Sequence, residues 1–145
     1  MTIELAKTLY TARATAEGGR RGHTATDDGR LDVTLSSPAG MGGDDGPGTN
    51  PEQLFAAGYA SCFHSALKLV ARHLKFDAAG STVTAEIGIG PMTEGVGYGL
   101  SAALTVALPG VPDREQAQQL VEAAHQVCPY SNAIKGNIAV ELSVA

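Results

Sequence analysis

Apolar and polar residues alternate in three stretches near the start of the chain. The stretches cover residues 4–16, 21–26 and 30–36, and Asp27-Asp28-Gly29 separates the last two. Alternation with a period of two is typical of half-buried strands, and Asp-Gly between two such stretches is a strong hairpin signal. The pattern therefore predicts three strands, of which the last two form a hairpin.

The longest apolar segment runs from Pro51 to about Leu74, with its apolar residues at helical spacing. A glycine- and proline-rich stretch over residues 37–50 precedes it and is typical of a loop. Asn50 can cap a helix that begins there, and proline suits the first helical position. Because the segment is apolar most of the way round, we expect a helix that is central and buried.

Two strands, a helix and a final strand are predicted over the rest of the chain. Residues 81–90 and 97–108 alternate on either side of a turn, and residues 137–144 alternate again near the end. Residues 112–128 place apolar side chains on one helical face, and Pro129 should end that helix. The predicted order βββ-α-ββ-α-β belongs to the α+β class, with mixed or antiparallel sheets around a central buried helix.

Composition and charge narrow the range of functions. With 145 residues, 43% of them hydrophobic, and no visible linker, the chain fits a single domain over residues 1–145. A net charge of −5 argues against nucleic acid and anionic membrane surfaces, which attract basic patches. The first residues lack the apolar core of a signal peptide, and no run approaches the ~18 apolar residues of a membrane span. We therefore expect a cytoplasmic protein with no nucleic-acid or membrane partner.

The chain has two cysteines, Cys62 and Cys128, each on the apolar stripe of a predicted helix. Buried free cysteine usually fills space, and on the thiols alone that interpretation is favoured. In the cytoplasm, however, structural disulfides are rare, and a disulfide that forms there is usually catalytic or sensory. Redox chemistry by a cysteine pair is therefore the alternative that the rest of the chain has to support.

Two histidines near the cysteines raise a zinc site or a cysteine hydrolase as further alternatives. His125 and Cys128 are three residues apart and can share a helix face. Cys62 and His64 are two residues apart, which on a helix points them about 200° apart, so an unbroken helix cannot direct both to one ion. A hydrolase would use His64 or His125 as its base, but no third orienting group stands at a telling spacing. Both alternatives stay open at this point and are disfavoured.

Four segments of the chain carry a family resemblance. One leads to Cys62 and begins Asn50-Pro51-Glu52-Gln53-Leu54-Phe55; another is Cys128-Pro129-Tyr130-Ser131-Asn132-Ala133, followed by Gly136-Asn137. The other two are Gly18-Gly19-Arg20 and Leu31-Asp32-Val33. Together they strongly resemble the organic hydroperoxide resistance proteins, in the superfamily named for the osmotically inducible protein C. The resemblance covers essentially the whole chain, and the Gly-Gly-Arg segment favours the organic hydroperoxide branch over its osmotically inducible sister.

The resemblance implies a thiol peroxidase that reduces organic hydroperoxides to alcohols. Cys62 matches the peroxidatic cysteine of the family, and Cys128 matches the resolving cysteine. Arg20 matches the arginine that holds the reactive thiolate, and Glu52 matches the carboxylate that orients this arginine. Arg21 is the alternative to Arg20. Since neighbouring residues of a strand point to opposite faces, only one of the two arginines should reach Cys62.

The resemblance also implies partners. The family is dimeric, so we expect an intertwined homodimer with its active sites at the subunit interface. The family takes electrons from lipoyl dithiols, so a lipoylated protein or another dithiol is the expected external reductant, and no bound cofactor or metal is expected. The alternatives are a general thiol peroxidase of the osmotically inducible branch and a cysteine/histidine hydrolase, with or without zinc.

The chemistry of these residue types fits a peroxidase. Peroxide cleavage needs a thiolate, and burial of Cys62 would raise its pKa, so a permanent cation such as an arginine must offset the shift. A buried arginine needs a partner, which gives Glu52 its role.

Along an unbroken helix Glu52 and Cys62 would lie about 15 Å apart, a distance that one arginine does not easily bridge. We therefore expect a helix break centred on Gly58, because glycine is a poor helix former.

The apolar side chains near the reactive thiol predict the class of substrate. A pocket with apolar walls stabilises an alkyl or acyl chain by burial and offers hydrogen peroxide little. We expect a second subunit to close this pocket. The residues expected to line it are Met41, Leu54, Phe55, Tyr59 and Phe63.

Overall fold

The computed structural model describes residues 2–145, which group into two compact units. One unit ends at Pro51, and the other spans Glu52–Ala145. The first unit contains three short strands, and the second contains three helices and three longer strands. The predicted α+β class and the order βββ-α-ββ-α-β are confirmed, with one short helix added before the last strand.

The first unit is built on an antiparallel sheet of β1 (Ala14–Glu17), β2 (His23–Thr26) and β3 (Asp32–Thr34), in that order. The predicted hairpin between β2 and β3 is confirmed. Its turn is held by the Asp28 carboxylate, which accepts hydrogen bonds from the Thr26 hydroxyl at 2.7 Å and the Arg30 N–H at 3.0 Å.

The first predicted strand is mostly wrong. Of residues 4–16, only the last three belong to β1, since pairing with β2 begins at Ala14. A strand needs a neighbour for its backbone groups, and within this chain β2 is too short to accompany the preceding residues. The apolar side chains of Ile3, Leu5 and Leu9 are exposed as a result. After β3, the predicted loop contains one 3₁₀ turn, Ala39–Met41.

The second unit begins with α1 (Pro51–Leu74), which is uninterrupted over its whole length. One face of α1 packs into the core, whereas Leu69 and Leu74 on other sides of the helix are 44% and 50% exposed. The expectation of a central helix is thus confirmed, with burial on one face only. The buried residues of α1 are Tyr59, Phe63, Ala66, Leu67, Val70 and Ala71.

By length and composition alone, α1 is able to cross a membrane, because it contains an 18-residue window with a mean hydropathy of 1.2. The expectation that no segment approaches membrane length was wrong on that criterion. A core helix passes the same test, and the continuous buried face of α1 is what a core helix requires.

The sheet of the second unit joins β4 (Thr82–Pro91), β5 (Tyr98–Ala107) and β6 (Val140–Val144), in that order. β4 and β5 form an antiparallel hairpin, and β6 lies parallel to β5. The sheet is therefore mixed, as predicted. A parallel neighbour requires a crossover connection, and the helices after β5 provide it.

The crossover consists of α2 (Arg114–Val127) and the short α3 (Pro129–Ile134). The Asp113 side chain caps α2 by accepting a hydrogen bond from the Gln116 N–H at 3.1 Å. Pro129 ends α2 as predicted, and it also begins α3, which the sequence pattern did not predict. Cys128 is the single residue between the two helices.

Candidate active site

The two cysteines come together within the unit Glu52–Ala145. The Sγ atoms of Cys62 and Cys128 lie 3.8 Å apart, and both residues are free thiols. A disulfide has an S–S length of roughly 2.0 Å, so these sulfurs need a modest approach to join. The two cysteines are 66 positions apart in the sequence, and the packing of α1 against the bend between α2 and α3 brings them together.

The bend that carries Cys128 follows from the local sequence. Cys128 has extended backbone angles, φ −66° and ψ 122°. The following Pro129 disfavours helical angles at the residue before it and suits the first position of a new helix. The Cys128 N–H still donates to the Ala124 carbonyl, and the Cys128 carbonyl accepts from the Asn132 N–H. Cys128 thus ends α2 and precedes α3 with a fixed backbone.

The two thiols differ in exposure. Cys128 is 0% exposed, whereas Cys62 is only partly buried. A molecule that approaches this unit from solvent therefore meets the sulfur of Cys62, and the sulfur of Cys128 lies behind it.

The surroundings of Cys62 act on its acidity in opposite directions. Burial raises the pKa of the Cys62 thiol, because the thiolate loses hydration there. A hydrogen bond from the backbone N–H of Tyr130 lowers the pKa in part, whereas the neighbouring Cys128 thiol raises it. Tyr130 is the second residue of α3, where backbone N–H groups have no partner inside the helix. The start of α3 thus gives the thiolate a donor, but the pKa of Cys62 remains raised.

A hydrogen-bonded chain of three side chains runs beside the cysteine pair. The hydroxyl oxygens of Tyr59 and Ser131 are 2.7 Å apart, and the Ser131 oxygen lies 2.8 Å from the His125 Nδ1. Tyr59 and Ser131 are buried, and His125 is half-buried. Burial raises the pKa of Tyr59, and burial together with the positive charge of Lys135 lowers the pKa of His125. The environment therefore favours the neutral form of both rings.

Gly58 lets α3 approach α1 closely. A Cβ atom at Gly58 would lie 2.7 Å from the Tyr130 hydroxyl and 3.2 Å from two ring carbons. The Tyr130 ring also packs against Phe55 and Tyr59, with ring centroids 5.8 and 5.9 Å apart. The predicted helix break at Gly58 is therefore wrong: α1 continues through this residue, and the missing side chain makes room for Tyr130.

Glu52 lies in the first turn of α1 and is half-buried. Because α1 is unbroken, Glu52 is about 15 Å from Cys62 along the helix axis. The folded-back arrangement expected from the sequence, with Glu52 returned towards the thiol by a break, does not occur.

Arg20 and Arg21 lie in the other unit, in a 3₁₀ turn over Gly19–Arg21 that connects β1 and β2. The left-handed angles that begin this turn, φ 75° at Gly18 and φ 58° at Gly19, are ones that glycine adopts readily. The expectation that strand alternation separates the two arginines is wrong, since neighbouring residues of a 3₁₀ helix are about 120° apart. Arg20 is half-buried and Arg21 is exposed.

The histidines near the cysteines in sequence are hydrogen-bonded to serines. The His64 Nε2 lies 2.9 Å from the Ser81 hydroxyl, and His125 is paired with Ser131. Within residues 2–145, no group of three or more His, Cys, Asp or Glu side chains is placed to hold a metal ion. One ring nitrogen of each histidine is thus occupied by a serine hydroxyl.

Ser131 and Tyr130 belong to the site although their chemistry does not mark them in the sequence. Pro129 is the signal that could have found them. A proline that follows a helix can begin a second one, which places the next two residues in its first turn.

The expectation that Tyr59 and Phe63 form open pocket walls is wrong, since both are fully buried.

Comparison with known proteins gives the family. The family described as OsmC-like protein matches residues 42–143. An organic hydroperoxide resistance protein from Xanthomonas axonopodis pv. citri (strain 306) is 51% identical over 140 residues, which cover 96% of this chain and 96% of that protein.

Solved structures agree with this result. An organic hydroperoxide resistance protein OsmC from Legionella pneumophila superposes with a TM-score of 0.89 at 47% identity, covering 96% of this chain and 99% of that one. One from Elizabethkingia anophelis, with thiocyanate bound, gives 0.89 at 52% identity, covering 96% and 98%. This chain therefore belongs to the OsmC-like family and, within it, to the organic hydroperoxide resistance proteins.

Proposed function

We propose that this protein detoxifies organic hydroperoxides by reducing them to alcohols, with Cys62 as the attacking thiol and Cys128 as the resolving thiol. The observation that carries the proposal is the pair of free thiols 3.8 Å apart. The partial exposure of Cys62 and the complete burial of Cys128 support this order of reaction. The names of its relatives support organic hydroperoxides as the substrate class.

The reaction takes two steps. The Cys62 thiolate attacks one oxygen of the peroxide, the O–O bond breaks, and the alkoxide leaves and takes a proton to become the alcohol. Cys62 is then a sulfenic acid. The Cys128 sulfur attacks the Cys62 sulfur, the S–O bond breaks, and the departing hydroxide combines with the Cys128 proton as water. The disulfide protects Cys62 from irreversible oxidation.

We assign Arg20 to the thiolate and Glu52 to the orientation of that arginine. The raised pKa of Cys62 creates the need for a cation, because the Tyr130 N–H offsets burial only in part. Arginine stays charged when it is desolvated, which suits this role. The half-burial of Arg20, compared with the exposed Arg21, supports the choice. Since Glu52 is about 15 Å from Cys62 along α1, it would act on the thiolate through the arginine rather than directly.

A dithiol is the proposed reductant of the Cys62–Cys128 disulfide. Reduction needs two electrons and two protons, and a dithiol supplies both as it closes to its own disulfide. Attack has to begin at the partly exposed Cys62 sulfur, since Cys128 is buried. A lipoyl dithiol, carried on a long arm by a lipoylated protein, is narrow enough for this approach to the Cys62 sulfur. In the proposed cycle it is an external reactant and no resident cofactor takes part.

An intertwined homodimer is the proposed assembly, with residues 1–145 of each copy acting as one domain. The N-terminal segment supports it, because Ile3, Leu5 and Leu9 alternate with polar residues yet are 63%, 73% and 86% exposed. A second copy would cover these side chains and the exposed Leu69 of α1. Light scattering of the full chain should give twice its mass of 14.8 kDa. A chain that lacks residues 2–13 should dissociate more readily than the full chain.

A location in the cytoplasm, away from membranes and nucleic acid, completes the proposal. The net charge of −5 opposes binding to anionic surfaces. The buried face of α1 supports a core role for this apolar helix.

Counting thiols tests the proposal. The reduced protein is treated with one equivalent of cumene hydroperoxide, and its free thiols and intact mass are measured before and after. We expect both thiols to be lost as an intramolecular disulfide, with one equivalent of alcohol formed. If both thiols survive while the hydroperoxide is present, the peroxidase assignment fails, and the hydrolase alternative has to be assayed instead.

A further inference from the structure

The hydrogen-bonded chain Tyr59–Ser131–His125 links the residues on the two sides of Cys128, one in α2 and one in α3. His125 lies three residues before Cys128, at the end of α2, and Ser131 lies three residues after it, in α3. The His125–Ser131 hydrogen bond, 2.8 Å long, therefore spans the bend at whose centre Cys128 lies. A bond across a bend fixes the angle between the two helices, and with it the direction of the cysteine at the bend.

The second hydrogen bond connects this bend to the helix that carries Cys62. The Ser131 hydroxyl is 2.7 Å from the hydroxyl of Tyr59, which lies one helical turn before Cys62 on α1. Each sulfur is thus three residues away from one end of the same hydrogen bond. The Ser131 hydroxyl thus joins the two elements whose sulfurs lie 3.8 Å apart.

The burial of the chain makes both bonds hard to replace. Ser131 is 1% exposed and Tyr59 is 0% exposed, so water does not readily take over either bond. Among the described residues, no buried side-chain nitrogen or oxygen is without a hydrogen-bond partner. A serine hydroxyl has one donor and can accept from others, so it can serve both neighbours at once. Loss of either neighbour would leave a buried polar group with an unmade bond.

We propose, building on the peroxidase function above, that Tyr59, Ser131 and His125 are positioning residues for the resolving step. They hold the bend so that the Cys128 sulfur captures the Cys62 sulfenic acid before a second hydroperoxide reaches it. In this step the Cys128–Cys62 bond forms, the S–O bond of the sulfenic acid breaks, and water leaves with the thiol proton. Tyr59 and Ser131 are buried and out of reach of a hydroperoxide, so the first step should depend on these hydrogen bonds far less than the second.

A competition experiment separates the two steps. Reduced protein is mixed with increasing cumene hydroperoxide. Sulfenic acid formation is followed by its reaction with a dimedone-type probe, and disulfide and sulfinic acid are quantified by mass spectrometry. The variants are Tyr59→Phe, which cuts the bond to α1, and His125→Leu, which cuts the bond across the bend. His125→Asn keeps a side-chain group that can bond to Ser131 and serves as the conservative rescue.

Ser81→Ala is the matched control. Like Ser131, Ser81 is a buried serine hydrogen-bonded to a histidine. Its hydroxyl lies 2.9 Å from the Nε2 atom of His64 on α1, and it has no part in the Tyr59–Ser131–His125 chain. Cys128→Ser is the reference for complete loss of resolution.

We expect Tyr59→Phe and His125→Leu to form sulfenic acid within twofold of the wild-type rate. Disulfide formation should slow about tenfold, a loss that a displacement below 1 Å can produce. The hydroperoxide concentration that converts half of Cys62 to sulfinic acid should fall by the same factor. His125→Asn and Ser81→Ala should behave like the wild type.

The proposal is overturned if Tyr59→Phe and His125→Leu close the disulfide at the wild-type rate. It is also overturned if they slow both steps equally, because that pattern indicates general loosening of the fold. Should Tyr59→Phe fail to fold, the comparison of His125→Leu with His125→Asn decides alone. Failure of the peroxidase function itself looks different, since wild-type Cys62 would then form no sulfenic acid with the hydroperoxide.

Discussion

At the scale of single residues, the site is a pair of cysteines of which Cys62 is partly exposed and Cys128 is buried. Their pairing followed from a family resemblance, and the 3.8 Å separation of the sulfurs agrees with it. Their unequal burial did not follow, because it depends on how α1 packs against a bend far along the chain. The same holds for Gly58, whose missing side chain serves Tyr130. The wrong expectation of a break came from the distance of about 15 Å between Glu52 and Cys62 and from the poor helix propensity of glycine, neither of which takes the approach of Tyr130 into account.

The choice between the two arginines is testable at this scale. We expect Arg20→Ala to raise the pKa of Cys62 further and to slow its reaction, because a fixed cation would no longer favour the thiolate. Arg21→Ala, at an exposed position, should change the pKa much less. The rate of Cys62 alkylation as a function of pH measures the effect in a Cys128→Ser background. A larger shift for Arg21→Ala would transfer the role to Arg21.

Gly58→Ala tests the close approach of α3 to α1. Alanine favours a helix over glycine by about 1 kcal/mol, but the new Cβ would meet the Tyr130 ring, and overpacking costs roughly 1–3 kcal/mol. We expect a net loss of about 1 kcal/mol in the free energy of unfolding, measured by urea denaturation. In a Tyr130→Ala background the same change should stabilise the protein. Stabilisation in the wild-type background would mean that the Tyr130 ring yields freely.

At the scale of elements, the bend between α2 and α3 is the feature that the sequence predicted only in part. Pro129 was expected to end a helix, and it does. It also begins the next one, in which Ser131 is hydrogen-bonded to Tyr59 and His125, two residues that lie far from it or on another helix. Strand positions were predicted well where a partner lies close in sequence, as in β4 and β5. The strand prediction was wrong for the residues before β1 because, among residues 2–145, no strand pairs with them.

The bend also predicts a dependence of stability on pH. The pKa of His125 is lowered in the fold, so its neutral form is favoured there, and an unfolded chain binds a proton more readily between the two pKa values. This contribution is complete above an unfolded pKa of about 6.5 and is lost as the pH falls through the folded value. Thermal melts between pH 7.5 and 5 should show a steeper loss for the wild type than for His125→Asn. Parallel curves would show that His125 contributes nothing to the pH dependence.

At the scale of the whole molecule, the apolar surface of the chain is unevenly covered. The core of the second unit contains Tyr59 and Phe63, which removes them from any substrate wall. Of the four wall residues expected on α1, Leu54 and Phe55 are the two that remain half-buried and keep part of their apolar surface exposed. Contacts of this kind favour substrates with long alkyl chains, since each buried methylene contributes roughly 0.8 kcal/mol to the free energy of binding.

We therefore expect catalytic efficiency to rise from hydrogen peroxide through tert-butyl and cumene hydroperoxides to fatty-acid hydroperoxides. Steady-state rates with a lipoyl dithiol as reductant measure the order. Leu54→Ala should lower the efficiency with fatty-acid hydroperoxides several-fold and leave that with hydrogen peroxide nearly unchanged. Equal efficiency with hydrogen peroxide would instead favour the general peroxidases of the osmotically inducible branch.

The burial of Cys128 behind Cys62 has a practical consequence for anyone who labels this protein. An alkylating reagent can reach one sulfur in each folded chain, so the label incorporated counts the reactive chains in a sample. An aromatic disulfide reagent gives a different count. It caps Cys62, and Cys128, only 3.8 Å away, then expels the second half of the reagent. Two chromophores are released for each chain that took up one alkyl label. A ratio of chromophore to alkyl label below two reveals the fraction of chains in which the Cys128 sulfur is too far from Cys62 to react with it.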